Sequence, residues 1–333
     1  MTVATTSTSR LESLVESSSR RVLLALARRR FLGRIAAGTP LTRPLVARFV
    51  AGESLPEAVK ALAVLTSGGY RTTADILGES VSTSAEASSA AGEYLRLLEA
   101  LAEQGLDRNV SLKPTQFGLG LGPEVARANL ERVVRRAAEL DAFVRVDMED
   151  HTATTETLDL VRGLRTIHPG VGIVVQSALR RSEADVEQLI AEGTPVRLCK
   201  GAYREPASVA WTAKADVDAS YLRLMQRLLV AGNHPAIATH DMKMVRAAIA
   251  IARREGISPD AFEFQMLYGV RRELQARIIE EGWRLRLYVP YGVSWYPYTM
   301  RRLAERPANV LFALRSIVSE LPSLISEARS GRR

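Results

Sequence analysis

Eight short runs of β-branched and apolar residues, each followed by a longer stretch of helical periodicity, constrain this chain more than any other feature. They fall at 70–77, 109–113, 143–148, 172–176, 196–200, 236–240, 262–267 and 284–289. Such alternation marks repeated βα units in a parallel sheet, because a parallel crossover needs a helix-length connection. About eight units favour a closed sheet over an open one. The expected fold is therefore α/β, a distorted (β/α)8 TIM barrel with extra N-terminal and C-terminal helices. Segments 122–140 and 242–255 read as amphipathic helices between strands, and no repeat is strong enough for a solenoid.

At 333 residues, 47% hydrophobic and 25% charged, the chain can bury one large core. No apolar run reaches the roughly 18 to 20 residues of a membrane span. The expected organisation is a disordered Ser/Thr-rich tail at 1–18, a helical arm at 19–67 that includes a basic amphipathic stretch at 20–36, and the barrel with its C-terminal helices at 68–333. Cys199 is the only cysteine, which excludes an internal disulfide and multi-cysteine metal sites and fits a cytoplasmic setting. The net charge of +8 comes mostly from arginine. Doublets such as Arg135-Arg136 and Arg253-Arg254 recur at helical spacing, the pattern of solvated helix faces rather than a nucleic-acid site.

In a TIM barrel the active site lies at the C-terminal strand ends, so polar residues there are the functional candidates. This chain places Asp75 and Glu79, Lys113, Asp147 and Glu149, Gln176, Arg197 and Lys200, His240, Glu263 and Gln265, and Tyr288 at or near such ends. Any one of them reads equally well as an internal ion pair or a helix cap. Together they would cost several kcal/mol to bury without pairing or meeting a ligand. The cations exceed what a small neutral substrate needs, and the Lys200-Gly201-Ala202 turn would let backbone amides approach a phosphate. The 118–122 segment, GLGLG, lacks the strand-to-helix context of a dinucleotide fingerprint. After the last strand, Tyr298-Thr299-Met300-Arg301-Arg302 sets adjacent guanidiniums on a helix, where they suit a carboxylate. The four histidines show no metal-site spacing.

The series VSLKPTQFGL (110–119), VRVDMED (144–150), VVQSALRRS (174–182), VRLCKGAYREP (196–206), ATHD (238–241), FEFQMLYG (262–269), RLYVPYG (286–292) and YTMRRLAE (298–305) resembles the proline dehydrogenases, specifically the short monofunctional bacterial type. The likeness runs in family order from about residue 49 to residue 312. It implies a barrel holding FAD non-covalently over the strand ends, and oxidation of L-proline to Δ1-pyrroline-5-carboxylate by hydride transfer. A quinone would accept the electrons, with peripheral contact at the inner face of the membrane. Residue by residue, the resemblance assigns Asp147 and Arg197 to catalysis. Lys113, Arg301 and Arg302 go to the substrate carboxylate, and Tyr288, Tyr298, Leu267 and Tyr203 to the substrate pocket. Met148, Gln176, Lys200, Gly201, Ala202, Thr239, His240 and, more weakly, Glu263 go to the cofactor. No metal is implied. Two features stand outside the pattern: the Ser/Thr-rich N-terminus, and Cys199 where an aliphatic residue is expected. Strand alternation puts Cys199 on the face of Arg197. Glu79 is expected to pair with Arg301 over bound substrate. Two alternatives compete, namely another flavin barrel of the methylenetetrahydrofolate reductase kind and a basic module that binds nucleic acid or membrane through 20–34.

Overall fold

A computed structural model describes residues 43–305, with side chains described from 46 to 302. The expected tail, the first part of the arm and the segment beyond 305 lie outside the described residues. The described residues divide into two compact units, one spanning 55–290 and the other combining 43–54 with 291–305.

The larger unit is the barrel. Its strands are β1 (Arg71–Ile76), β2 (Asn109–Leu112), β3 (Phe143–Val146), β4 (Val171–Gln176), β5 (Val196–Cys199), β6 (Ala236–Ala238), β7 (Glu263–Leu267) and β8 (Leu285–Tyr291), whose last residue falls in the smaller unit. They form a closed barrel in sequence order, and every neighbouring pair with a resolved register is parallel. The fold class read from the sequence therefore holds. The ladder stops one or two residues short of the expected ends at Lys113, Met148 (with Asp147 just before it), Lys200 and His240. Those residues stand on the C-terminal rim rather than within the sheet.

Helices α1 (Arg43–Phe49) and α2 (Leu55–Ser67) precede β1. Then come α3 (Ser84–Glu103), α4 (Pro123–Glu139), α5 (Thr154–Arg165), α6 (Ser182–Ala191), α7 (Lys214–Ala231), α8 (Met242–Arg254) and α9 (Arg272–Glu280), each covering the sheet after its strand. Local chemistry sets their starts. Thr83 and Glu86 form a reciprocal capping box at α3, and Asp241 caps α8 by accepting from the Lys243 amide. Two helical tyrosines serve strand ends: Tyr94 Oη of α3 donates to Ser111 O (2.8 Å) and accepts from Ile76 N (3.2 Å). Tyr221 Oη of α7 donates to Ala238 O (3.1 Å).

The strand pattern explains where the core sits. Ile76, Val110, Leu112, Val144, Val146, Ile173, Val196, Leu198, Ile237, Phe264, Leu285 and Leu287 are buried and alternate with polar residues. The apolar set packs outward against the helices. The alternate set, Thr73, Asp75, Ser111, Arg145, Gln176, Arg197, Gln265 and Arg286, is also buried and meets inside the barrel. A barrel axis usually filled by branched aliphatics is here a polar shaft.

In the smaller unit, α10 (Trp295–Glu305) follows β8, Gly292 N donates to Gly52 O (3.0 Å) and Trp295 Nε1 donates to Glu53 Oε1 (2.7 Å). Both glycines sit at φ of 121°, a region that residues with a Cβ rarely adopt.

Candidate active site

Arg197 organises the shaft. From β5 it donates through Nε to Gln265 Oε1 (2.5 Å), through Nη1 to Asp147 Oδ1 (2.8 Å) and through Nη2 to Ser111 Oγ (2.9 Å). Its Cζ lies 5.2 Å from the Tyr288 ring centroid. One guanidinium thus ties β2, β7, β8 and the end of β3 together, which only an inward-facing side chain can do.

The network continues to the rim. Tyr288 Oη donates to Asp147 Oδ2 (2.8 Å), and Lys113 Nζ donates to Asp75 Oδ1 (2.9 Å) and to Tyr288 Oη (3.3 Å). Lys113 also stands 4.0 Å from Asp147. Burial opposes the charge on Lys113, but Asp75 and then Asp147 outweigh it and hold its pKa above the ordinary lysine value. Asp75 is 1% exposed, and burial raises its pKa against the pull of Lys113, with Asp147 adding to the rise. Burial, followed by the charges of Asp147 and Asp75, keeps the Tyr288 phenol protonated, so it serves as a donor to Asp147. The result is a rigid array with an ammonium and a guanidinium on either side of one carboxylate.

Around the mouth, Glu149 accepts from Thr115 N (2.9 Å) and Oγ1 (2.6 Å), and burial raises its pKa. Gln176 Nε2 donates to Glu149 O (2.7 Å), which secures the loop bearing Met148. Gly201 has φ of 111°, and a Cβ there would lie 3.0 Å from Gln176 Oε1 and 3.2 Å from Ala178 Cβ. Ala202 beside it is exposed. The Lys200 ammonium is held by Asp218 (2.5 Å) and Asp241 (3.3 Å). Thr239 Oγ1 accepts from Asp241 N (3.0 Å), and His240 Nε2 accepts from Leu267 N (3.3 Å). Tyr203 is 43% exposed, so it stands at the rim rather than inside a closed pocket.

The barrel therefore brings together Asp147, Arg197, Lys113 and Tyr288, with Leu267 at the end of β7. Tyr298, Arg301 and Arg302 lie on α10 in the smaller unit, where the Arg302 guanidinium stacks over the Tyr298 ring at 5.0 Å.

Glu263 is a correction. It is the first residue of β7, at the opposite end of the strand from the mouth, and accepts from Arg286 Nε (2.9 and 3.1 Å) and Gln265 Nε2 (2.5 Å). Burial is outweighed by Arg286, which lowers its pKa. It is an internal counter-ion at the start of its strand; the sequence reading took strand membership for strand end.

Sequence reasoning singled out no role for Ser111 or Arg145 and named Asp75 as a strand-end candidate without a specific role. The signal was present, since Arg145 shares its strand face with Asp147, two residues on.

Comparison with known proteins settles the family. The proline dehydrogenase family model matches residues 58–315. The chain belongs to the proline dehydrogenase family. Proline dehydrogenase 2 of Bacillus subtilis is 35% identical over 302 residues, 91% of this chain and 99% of that protein. Proline dehydrogenase of Deinococcus radiodurans is 40% identical over 279 residues, 82% of this chain and 90% of that protein. Among solved structures, proline utilization A from Bdellovibrio bacteriovorus inactivated by N-propargylglycine aligns with a TM-score of 0.73 and 29% identity, over 79% of this chain and 32% of that one. The chain spans about a third of that longer protein. As a family member, the chain is an oxidoreductase enzyme of proline catabolism, which displaces both the folate-reductase reading and the basic-module reading.

Proposed function

We propose that the chain oxidises L-proline to Δ1-pyrroline-5-carboxylate with FAD as the bound oxidant and a quinone as the onward acceptor. The carrying observation is the Lys113–Tyr288–Asp147–Arg197 array at the mouth of a family barrel.

The residues fit a flavin nucleotide. Gly201 holds a turn at a φ that favours glycine, where a Cβ would crowd Gln176, a backbone shape suited to a phosphate cradle, and Lys200 adds a cation beside it. Met148 through its backbone, Gln176, Ala202, Thr239 and His240 would complete the hold. When bound, FAD supplies the two-electron acceptor.

The protein's own part is positioning and charge. Lys113 fixes the substrate carboxylate, and Tyr288, Leu267 and Tyr203 bound the ring. Loss of hydride from the ring carbon beside nitrogen needs the nitrogen lone pair, so the proline ammonium must first release a proton. Arg197, held by three hydrogen bonds, presents a fixed cation where negative charge develops, and Asp147 keeps that cation and Tyr288 in register.

An anaerobic visible spectrum before and after adding L-proline tests the reading. Bleaching of flavin bands near ~450 nm by L-proline but not by glycine is the expected result. A flavin that stays oxidised, or a protein that stays colourless after incubation with FAD, overturns it. No helix among the described residues is long and apolar enough to cross a membrane. Peripheral contact through the basic 20–36 stretch therefore belongs with the quinone proposal. Cosedimentation with anionic vesicles that survives deletion of residues 1–36 would dispose of that contact.

A further inference from the structure

Inside the barrel, three of four cations have carboxylate partners. Arg197 pairs with Asp147, Lys113 with Asp75, and Arg286 with Glu263 and Asp107. Arg145 is the exception among the described residues. It lies mid-strand in β3, 3% exposed, and shares a strand face with Asp147. Its Nη1 donates to two backbone carbonyls, Pro195 O (2.6 Å) and Ile173 O (3.1 Å), and its Cζ lies 4.7 Å from the Phe143 ring centroid. Its Nε is buried without a hydrogen-bond partner.

The fold makes room for this charge. Gly172 stands opposite Arg145 in the β3–β4 register, and a Cβ on it would lie 2.5 Å from Nη1 and 2.6 Å from Pro195 O. Burial and then the neighbouring Arg197 bring the Arg145 pKa down to about 9, so the group is still charged at neutral pH. A buried cation without a counter-ion costs several kcal/mol, whereas a neutral donor would serve two carbonyls without that penalty. Pinning β4 to β5 therefore does not account for a guanidinium at this place.

We propose that Arg145 is a positioning residue whose charge, in salt-bridge contact with no carboxylate among the described residues, adds to the positive field beneath Arg197 and thereby raises the reduction potential of the bound flavin. The inference rests on the proposed flavin-dependent reaction. Two-electron reduction with uptake of one proton leaves the cofactor one unit more negative, and a fixed cation in a poorly screened interior favours that product. Arg145 itself gains and loses no proton in the step. The charged groups that bear on it are Arg197, Glu263, Asp147 and Arg286.

The test is the flavin midpoint potential of the purified holoenzyme, equilibrated anaerobically against a reference dye, a readout that needs no turnover. Arg145→Met is expected to shift the oxidised-to-reduced equilibrium about tenfold toward oxidised, ~30 mV for a two-electron couple. Arg145→Lys restores the charge at low pH. Buried lysine loses its proton more readily than arginine, so the potential of that variant should match wild type in acid and fall below it as pH rises. Wild-type potentials in both variants at every pH, or an equal drop in both at every pH, overturn the inference. If Arg145→Met does not fold, the pH series of Arg145→Lys decides alone. A wild-type protein that binds FAD but is not bleached by L-proline defeats the proposed function instead, separately from this result.

Discussion

Replacing Lys113 by methionine isolates the electrostatics of the rim. Lys113 Nζ stands 2.9 Å from Asp75 Oδ1 and 4.0 Å from Asp147. Asp75 is 1% exposed, and its Oδ2 is buried without a hydrogen-bond partner. Without the ammonium, Asp75 would be a buried carboxylate beside another, and the fold would answer by keeping it protonated. Burial already raises its pKa in the wild type, against the opposing effect of Lys113. In the variant the rise is larger. Its sign follows from linkage. A carboxyl whose folded pKa exceeds its unfolded one gives stability that is present below the unfolded pKa and is lost as pH rises through the folded pKa. The two proteins therefore differ least in acid, where Asp75 is protonated in both. The gap should widen by up to ~1.4 kcal/mol per pH unit while only the wild type ionises there. The ceiling is about 3–5 kcal/mol, the cost of stripping one partner from a buried pair. Urea unfolding at intervals from about pH 5 to about pH 8, with equal m-values, measures the gap. A gap independent of pH, or one that narrows as pH rises, refutes the reasoning.

Three further outcomes follow from the geometry. Tyr288→Phe removes the donor 2.8 Å from Asp147 Oδ2; a hydrogen bond to a charged group contributes about 1.5–3 kcal/mol, so kcat/KM for L-proline should fall roughly ten- to hundredfold, and an unchanged value would remove the hydroxyl from the mechanism. Gly172→Ala sets a Cβ 2.5 Å from Arg145 Nη1 and 2.6 Å from a backbone oxygen, and should cost about 1–3 kcal/mol in urea unfolding; a wild-type midpoint would mean that Arg145 moves aside freely. Burial pushes the Cys199 thiol up to about 12, so alkylation of the native protein by iodoacetamide should be slow near neutrality and rise about tenfold per pH unit, whereas rapid neutral labelling would contradict that environment.

How much of this was legible in the sequence depends on the direction of each side chain. The eight strands could be read because β-branched runs and helical periods alternate, and each expected strand falls within two residues of an observed one. Lys113, Asp147, Arg197 and Tyr288 could be nominated because polar residues interrupt or end apolar runs. Their partnership could not, since the Arg197 bonds to Ser111, Asp147 and Gln265 span 86, 50 and 68 residues of sequence. Glu263 was misread for a related reason. In FEFQMLYG, period 2 puts Glu263, Gln265 and Leu267 on one face, but it does not say which end of the run faces the mouth; chain direction in a parallel barrel does, and it places Glu263 at the floor.

That same alternation explains why the barrel tolerates a polar axis. The outward residues of the strands supply an apolar layer against the helices, so folding does not depend on filling the centre with aliphatics. The centre is then available for charge, provided the charges pair. Arg286 with Glu263 closes the floor, and Arg197 with Asp147 and Lys113 with Asp75 form the upper layers. A neutral core of the usual kind would pack as well but could not hold a cation against a flavin or a substrate carboxylate. Paired charges held by hydrogen bonds in a largely buried shaft keep their orientation and their field, because burial limits screening. On the proposed function, the polar shaft is the structural condition for an anionic cofactor and an anionic substrate to meet at the mouth. Arg145, which breaks the pairing rule, is where that condition is most directly open to measurement.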